Sequence, residues 1–353
     1  MSRPRILFAC DAGPQVGGGH VMRSLTLARA LAERGAACAF LAPPPVAAVL
    51  DAFAPETARA PAASTAPGAL AQAAAGIEAD ALVFDHYGLA AAEHRAMARG
   101  RPALAIDDLA DRPLHADLIL DSGPERRAQD YAGLVPSTAR LLLGPGFAPV
   151  RPDFAALREA ALARRSGPVR RVLVSLGLTD LDAVTARVVA RLSPLVGEAA
   201  LDIVLGSAAP SLAPLTRLAA TDARLVLHVD TRDMAALTAR ADVGVGAAGS
   251  TTWERCTLGL PSVLLVLAAN QRPAATALAD LGAALAVDAD APDFAARFDA
   301  AARRLLAEEA LRTALSARSA QVCDGAGAAR TAEAFLAVIA ARDSTPQPGD
   351  SRP

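Results

Sequence analysis

Residues 5–42 read RILFACDAGPQVGGGHVMRSLTLARALAERGAACAFLA. An apolar run from Ile6 to Cys10 opens into a glycine-rich loop. The next stretch, HVMRSLTLARALAERG, carries its apolar residues at helical spacing, and a second apolar run, CAFLA, follows it. That alternation is the sequence form of a parallel βαβ unit and predicts an α/β fold.

Further along the chain, ALVFD (81–85) and ALAID (103–107) read as strands, each ending in an aspartate where a strand opens into a loop. In open α/β sheets functional groups gather at those carboxyl ends. Residues 55–75 are rich in Ala, Pro, Ser and Thr and read as a loop with a variable helix. The pattern restarts after REAALARRSGPVRR, with RVLVSL (171–176), LDIVL (201–205), RLVLHV (224–229), DVGVGA (242–247) and SVLLV (262–266), each followed by a helix-like segment. This predicts one α/β domain over 1–167 and a second over 168–342, whose last helices run from about Pro292 to Arg342. The polar, Pro-rich tail 343–353 is expected to be disordered.

The chain has 353 residues, enough for two cores, and a formal net charge of −2. With a pI near 6.2 it lacks the basic field that nucleic acid or anionic membranes require, so neither is an expected partner. All 35 positive charges are Arg, and alanine dominates the apolar count; neither is read as a functional signal. Mean hydropathy is +0.29, yet every apolar stretch is broken before about 18 residues accumulate. The start reads as a first strand, not a signal peptide, and a cytoplasmic location is expected. Cys10, Cys38, Cys256 and Cys323 lie far apart and read as packed thiols. No obligate protein partner is evident.

Two stretches can carry chemistry. In DAGPQVGGGHVMRS (11–24), Gly17, Gly18 and Gly19 let a ligand approach the backbone closely, and His20 falls at the start of the first helix. The positive helix end disfavours an imidazolium there, leaving a neutral ring able to accept a proton. Arg23, three residues on, shares that face and can meet an anionic or hydroxyl-rich substrate. The plainer reading is a tight βα turn with a capping His. The spacing fits neither GxGxxG with a downstream ribose acid nor a P-loop.

The second stretch is GAAGSTTWERCTLGLPSVLLVLAANQ (246–271). Gly249 and the hydroxyls of Ser250, Thr251 and Thr252 sit at a predicted helix start, which suits a diphosphate. Glu254, one turn in, can accept hydrogen bonds from a ribose diol. Asn270 and Gln271, past the next strand, suit sugar hydroxyl and acetamido groups. Read singly, Glu254 is a first-turn acid favoured by the helix dipole and Trp253 a core aromatic.

Taken together, GSTTWERCTLGLPSVLL followed by NQ resembles the nucleotide-binding region of two-domain GT-B enzymes. More closely, it resembles the UDP-sugar hydrolases of pseudaminic acid biosynthesis, which convert UDP-2,4-diacetamido-2,4,6-trideoxy-β-L-altropyranose into the free sugar and UDP. GGGHVMRSLTLARAL, DHYGL (85–89), IDDLADR (106–112) and LLGPGFAPVRPDF (142–154) extend the resemblance over most of residues 4–285. It implies two Rossmann-like domains facing across a cleft, His20 as catalytic base, Tyr87 and Asn270 near the sugar, and Glu254 on the nucleotide. Gly17, Gly18, Gly19, Arg23 and Gln271 complete the expected sugar side; Gly177, Gly249, Ser250, Thr251 and Thr252 complete the nucleotide side. No metal or cofactor is implied.

Two departures from the family pattern stand out. Leu178 replaces the second glycine of a GG pair, and Phe147 and Val150 stand where Tyr and Leu are usual. A GT-B glycosyltransferase, with His20 deprotonating an acceptor hydroxyl, and a non-catalytic UDP-sugar binding protein are the alternative readings. Asp85, Asp107 and Asp108 are expected at strand ends facing the cleft, with no supporting ligand for a metal beside the Asp107–Asp108 pair. His86, His94, His115 and His228 are expected to be surface or capping residues.

Overall fold

A computed structural model describes residues 3–13 and 16–343. The first part of the chain runs β1 (Arg5–Cys10), α1 (Gly19–Ala32), β2 (Ala37–Ala42), α2 (Pro44–Phe53), β3 (Ala58–Pro61), α3 (Pro67–Ala75), β4 (Ala81–Asp85), α4 (Ala91–Ala98), β5 (Ala103–Ile106), β6 (Leu118–Asp121), β7 (Arg140–Leu143) and α5 (Pro152–Ala163). The second part runs β8 (Arg171–Ser175), α6 (Val184–Leu192), β9 (Ala200–Leu205), α7 (Leu212–Ala219), β10 (Leu225–Val229), α8 (Met234–Arg240), β11 (Val243–Ala247), α9 (Thr251–Thr257), β12 (Ser262–Val266), α10 (Arg272–Asp280) and β13 (Leu285–Asp288). Three helices close the chain: α11 (Phe294–Ala307), α12 (Glu309–Val322) and α13 (Gly327–Asp343).

The strands form two wholly parallel sheets, ordered β3-β2-β1-β4-β5-β6-β7 and β10-β9-β8-β11-β12-β13. Strands buried on both faces need continuous apolar runs, which is what ALVFD in β4 and SVLLV in β12 supply; every residue of both is buried. Phe8 and Phe40 stack at 4.7 Å between β1 and β2, a pair worth about 1 kcal/mol beyond its area. In each sheet the strand order reverses once, at β1/β4 and at β8/β11. These are the points where a doubly wound sheet leaves a crevice for ligand. The register sets Cys10 against Asp85 in the first sheet and Gly246 against Ser175 in the second, so the loops after these strands emerge side by side.

The edge strands β3, β7 and β13, and the short β6, are found in addition to the expected strands; α3 is the helix expected within residues 55–75. Helix α5 precedes position 168 but packs with the second sheet, Phe154 and Ala161 sharing a core with Trp253 and Cys256. Helix α13 returns to the first domain, where Ala332, Phe335 and Ile339 pack with Val21, Leu25 and Leu31 of α1. The two chain crossings touch: a Cβ on Gly327 would collide with the backbone of Ala148, so only glycine lets α13 begin there. The expected tail lies outside the described residues except for Asp343, which ends α13. Cys10, Cys256 and Cys323 are buried and Cys38 partly so, and all four are free thiols. Among the described residues no helix is long and apolar enough to cross a membrane.

Candidate functional site

The loop after β1 is pinched where Gly17 donates to Gly13 O at 2.7 Å, and Gly17 takes a positive φ of 74°, open to glycine at little cost. Gly18 caps α1 without a side-chain bond and Gly19 is its first residue. A Cβ on Gly19 would lie 3.7 Å from Ser250 Oγ, so any longer side chain there would enter the space between the domains.

His20, in the first turn of α1, is only 5% exposed. Its Nδ1 lies 2.7 Å from Asp85 Oδ1 and 3.1 Å from Asp85 O. Two acceptors at one nitrogen place the proton on Nδ1 and leave the lone pair on Nε2. The ring meets Tyr87 edge-on, with centroids 4.6 Å apart. Asp85, at the end of β4, is wholly buried and also holds Arg23, whose Nη2 and Nε lie 2.6 and 2.8 Å from its two oxygens; Ser24 Oγ donates to it at 3.1 Å. Burial opposes ionisation of this carboxyl, but Arg23 and then His20 outweigh it and hold Asp85 well below the usual carboxylate range.

Arg23 therefore borders the cleft with its guanidinium already engaged, its Nη1 reaching Asp108 Oδ2 at 3.0 Å. Asp108 and Tyr87 do line the cleft, whereas Asp85 and Asp107 lie beneath it. Asp107 accepts Ala110 N and Arg112 Nη1, both at 2.8 Å, and organises the loop after β5. Tyr131 Oη stands 2.9 Å from Asp107 and 2.7 Å from Asp121. One hydroxyl proton cannot serve two carboxylates, and burial pushes Asp121 up to about 6 against the opposing bonds from Gly123 N and Tyr131.

In the second domain Gly177, with φ 107°, follows β8, and Gly249, Ser250 and Thr251 lead from β11 into α9. Ser250, at the helix start, makes no side-chain cap bond. Thr252 departs from expectation: it is buried, its Oγ1 donates to Ala247 O at 3.3 Å and accepts Arg255 Nη2 at 3.0 Å, and its amide bonds Gly249 O. It supports the turn and offers nothing to a ligand. Arg255, buried under α9, also donates to Ala247 O at 2.6 Å and Thr251 Oγ1 at 3.1 Å. Burial lowers its guanidinium to about 10, which keeps it a cation at neutral pH.

Glu254 pairs with Arg151, whose Nε and Nη2 each lie 3.0 Å from Oε1. Asn270 Nδ2 donates to Tyr87 Oη across the cleft at 2.9 Å. Gln271 Oε1 accepts Leu267 N at 3.0 Å, bracing the loop after β12.

Together these groups line one cavity of about 330 Å³ between the domains, large enough for a nucleotide-linked sugar to enter in part. Gly17, Gly18, Gly19, His20, Arg23, Tyr87, Gly177, Gly249, Ser250, Thr251, Glu254, Asn270 and Gln271 all border it; Thr252 does not. Asp108, Asp121, Arg151 and Trp253 border it as well, and the sequence reading gave none of them a role in binding. Asp108 was signalled by its place at a strand end, and Arg151 by the stretch 142–154. His94 is a correction: it is a core residue, 1% exposed and stacked on Phe84 at 4.2 Å, and burial lowers its pKa to about 3. His86 is buried too, accepting Gly88 N at 2.9 Å. Among the described residues no cluster of three metal-ligating side chains occurs.

Two parallel doubly wound domains with a cleft between their strand ends define the GT-B fold. Solved structures that share it include MurG of Acinetobacter baumannii, with a TM-score of 0.64 at 19% identity over 95% of this chain and 100% of that one. Os79 of O. sativa gives a TM-score of 0.68 at 14% identity over 95% of this chain and 100% of its own. The calicheamicin glycosyltransferase CalG4 gives 0.63 at 18% over 98% and 100%.

In sequence, the chain is 25% identical over 280 residues to the UDP-2,4-diacetamido-2,4,6-trideoxy-β-L-altropyranose hydrolase of Campylobacter jejuni, covering 79% of this chain and 97% of that protein. The resemblance drawn from the motifs thus holds over most of the chain. It is also 29% identical over 153 residues to the spore coat polysaccharide biosynthesis protein SpsG of Bacillus subtilis, spanning 43% of this chain and 44% of that protein. No family model matches.

Proposed function

We propose that this protein hydrolyses a UDP-linked 2,4-diacetamido-2,4,6-trideoxyhexose at its anomeric carbon, releasing UDP and the free sugar with inversion. The observation that carries the reading is the His20–Asp85 contact of 2.7 Å in a ring that borders the cleft opposite the start of α9. The similarity to the Campylobacter jejuni hydrolase supports the substrate class.

In this reading Asp85 keeps the Nδ1 proton in place, and Nε2 takes a proton from water as the water oxygen bonds to C1. The bond from C1 to the bridging oxygen breaks, and its electron pair leaves with UDP. General-base help of this kind is worth about 10²–10⁴-fold. Charge developing on the diphosphate is met by the amides and hydroxyl at Ser250 and by the cationic Arg255 beneath α9, groups held in position before the reaction starts. Glu254 accepts the ribose hydroxyls, while Tyr87 and Asn270 border the sugar. Because the carbon is attacked from the face opposite the leaving group, the configuration inverts. The reaction belongs, in this reading, to pseudaminic acid biosynthesis.

A second reading shares the same groups: in a GT-B glycosyltransferase His20 would deprotonate an acceptor hydroxyl, and CalG4 shows that the fold serves such enzymes. Incubation of the full chain with the UDP-sugar and no acceptor separates the two. The hydrolase releases UDP and sugar at the rate of its steady-state turnover, and proton NMR at early times shows the inverted anomer. UDP release only on addition of an acceptor would establish the transferase instead.

A further inference from the structure

We infer that Arg151 is a positioning residue for the nucleotide: it grips Glu254 by one carboxylate oxygen and so presents the other to the ligand. The inference rests on the reading of Glu254 as a ribose acceptor.

Arg151 occupies the N-cap position of α5, on the segment by which the chain passes from the first sheet to the second. Its Nε and its Nη2 both converge on Oε1 of Glu254, each at 3.0 Å. A guanidinium that met both oxygens would close off the carboxylate; this one engages a single oxygen. Among the described residues none donates to Oε2, and Glu254 borders the main cavity.

Arg151 is itself held in place. Its guanidinium lies 5.0 Å over the ring of Phe154, which is wholly buried in the core that contains Trp253. A planar cation stacked on a fixed ring has little freedom to turn away.

The charged groups facing Glu254 are Arg151 from the chain crossing and Arg255 from α9 itself. Burial raises the Glu254 carboxyl, and Arg151 opposes that rise more strongly than Arg255. Removing Arg151 therefore leaves a buried carboxylate that holds its proton to higher pH and has no fixed rotamer. In either respect it is a poorer acceptor for a diol.

Calorimetric titration of the full chain with UDP, and with uridine in competition against UDP, tests this between pH 5.5 and 8.5. Arg151→Gln is expected to weaken both ligands by the same factor, at least tenfold at pH 6, with recovery towards wild type as the pH rises. Uridine carries no phosphate, so its loss reports the ribose contact alone. Arg151→Lys, which keeps the charge, is expected to remove most of the pH dependence, and Arg151→Met, which keeps the bulk over Phe154 without the charge, stands in for Arg151→Gln if that variant does not fold. A loss confined to UDP would overturn the inference, because Arg151 would then be meeting the diphosphate directly. Wild-type affinity in Arg151→Gln, with Glu254→Gln weakened, overturns it while leaving the nucleotide reading intact. Unchanged affinity in Glu254→Gln would sink that reading itself.

Discussion

The amide of Asn270 donates to the hydroxyl of Tyr87 at 2.9 Å, joining the loop after β12 to the loop after β4 across the cleft. One end belongs to each domain, so the bond exists only when the domains are close. A neutral hydrogen bond of this kind contributes about 1 kcal/mol. Tyr87→Phe and Asn270→Ala should each lower kcat/KM by roughly fivefold through this contact, and the double variant should cost little more than either single one. A double-mutant cycle with additive losses would show that the two side chains act separately.

Asp85 joins three partners that lie far from it in sequence, and removing its charge leaves Arg23 buried with only Asp108 for company. Asp85→Asn should therefore cost about 3–5 kcal/mol of stability in urea unfolding. Turnover should fall by about 10²–10⁴-fold as His20 loses its fixed tautomer. Wild-type turnover in a folded Asp85→Asn chain would contradict the role given to the dyad.

Burial holds Asp121 protonated up to about pH 6, whereas a free aspartate titrates near 4. Between those values the folded state binds more protons at this position than the unfolded state. Its contribution to stability is thus fully present below about pH 4 and is lost as pH rises through about 6. The stability of the wild type minus that of Asp121→Asn should fall between pH 4 and pH 7. Urea titrations that gave a constant or rising difference would show that burial does not govern this carboxyl.

Gly246 lies over the Arg255 side chain, and a Cβ there would collide with Arg255 Nη1 and come within 2.6 Å of Cζ. Gly246→Ala should cost about 1–3 kcal/mol by overpacking and weaken UDP binding by displacing the cation under α9. A Gly246→Ala protein of wild-type stability and UDP affinity would show that Arg255 takes no part in holding the diphosphate.

Much of this arrangement was legible in the sequence because parallel strands buried on both faces leave unbroken apolar runs. β1, β4, β8, β11 and β12 all announce themselves in that way. The edge strand β3 does not: its sequence is Ala-Arg-Ala-Pro, and Pro61 is tolerated only because nothing pairs beyond it. His20, Tyr87, Ser250 and Asn270 could be picked out because each follows a strand end. Arg151 could not be paired with Glu254, because 103 residues separate them. Thr252 is not distinguishable from Ser250 and Thr251 by sequence, because adjacent hydroxyls look alike there. Only Arg255, folded beneath the turn, distinguishes the one that faces inward.

In the proposed reaction the imidazole of His20 activates water in a cleft that grips UDP independently. Single-turnover release of UDP from the UDP-sugar, without acceptor, compared between wild type and His20→Ala, separates the two roles when UDP affinity is measured on the same samples. Release is expected to be slowed at least 100-fold in the variant, with UDP affinity within about twofold of wild type. Release at near wild-type rate from His20→Ala would contradict it.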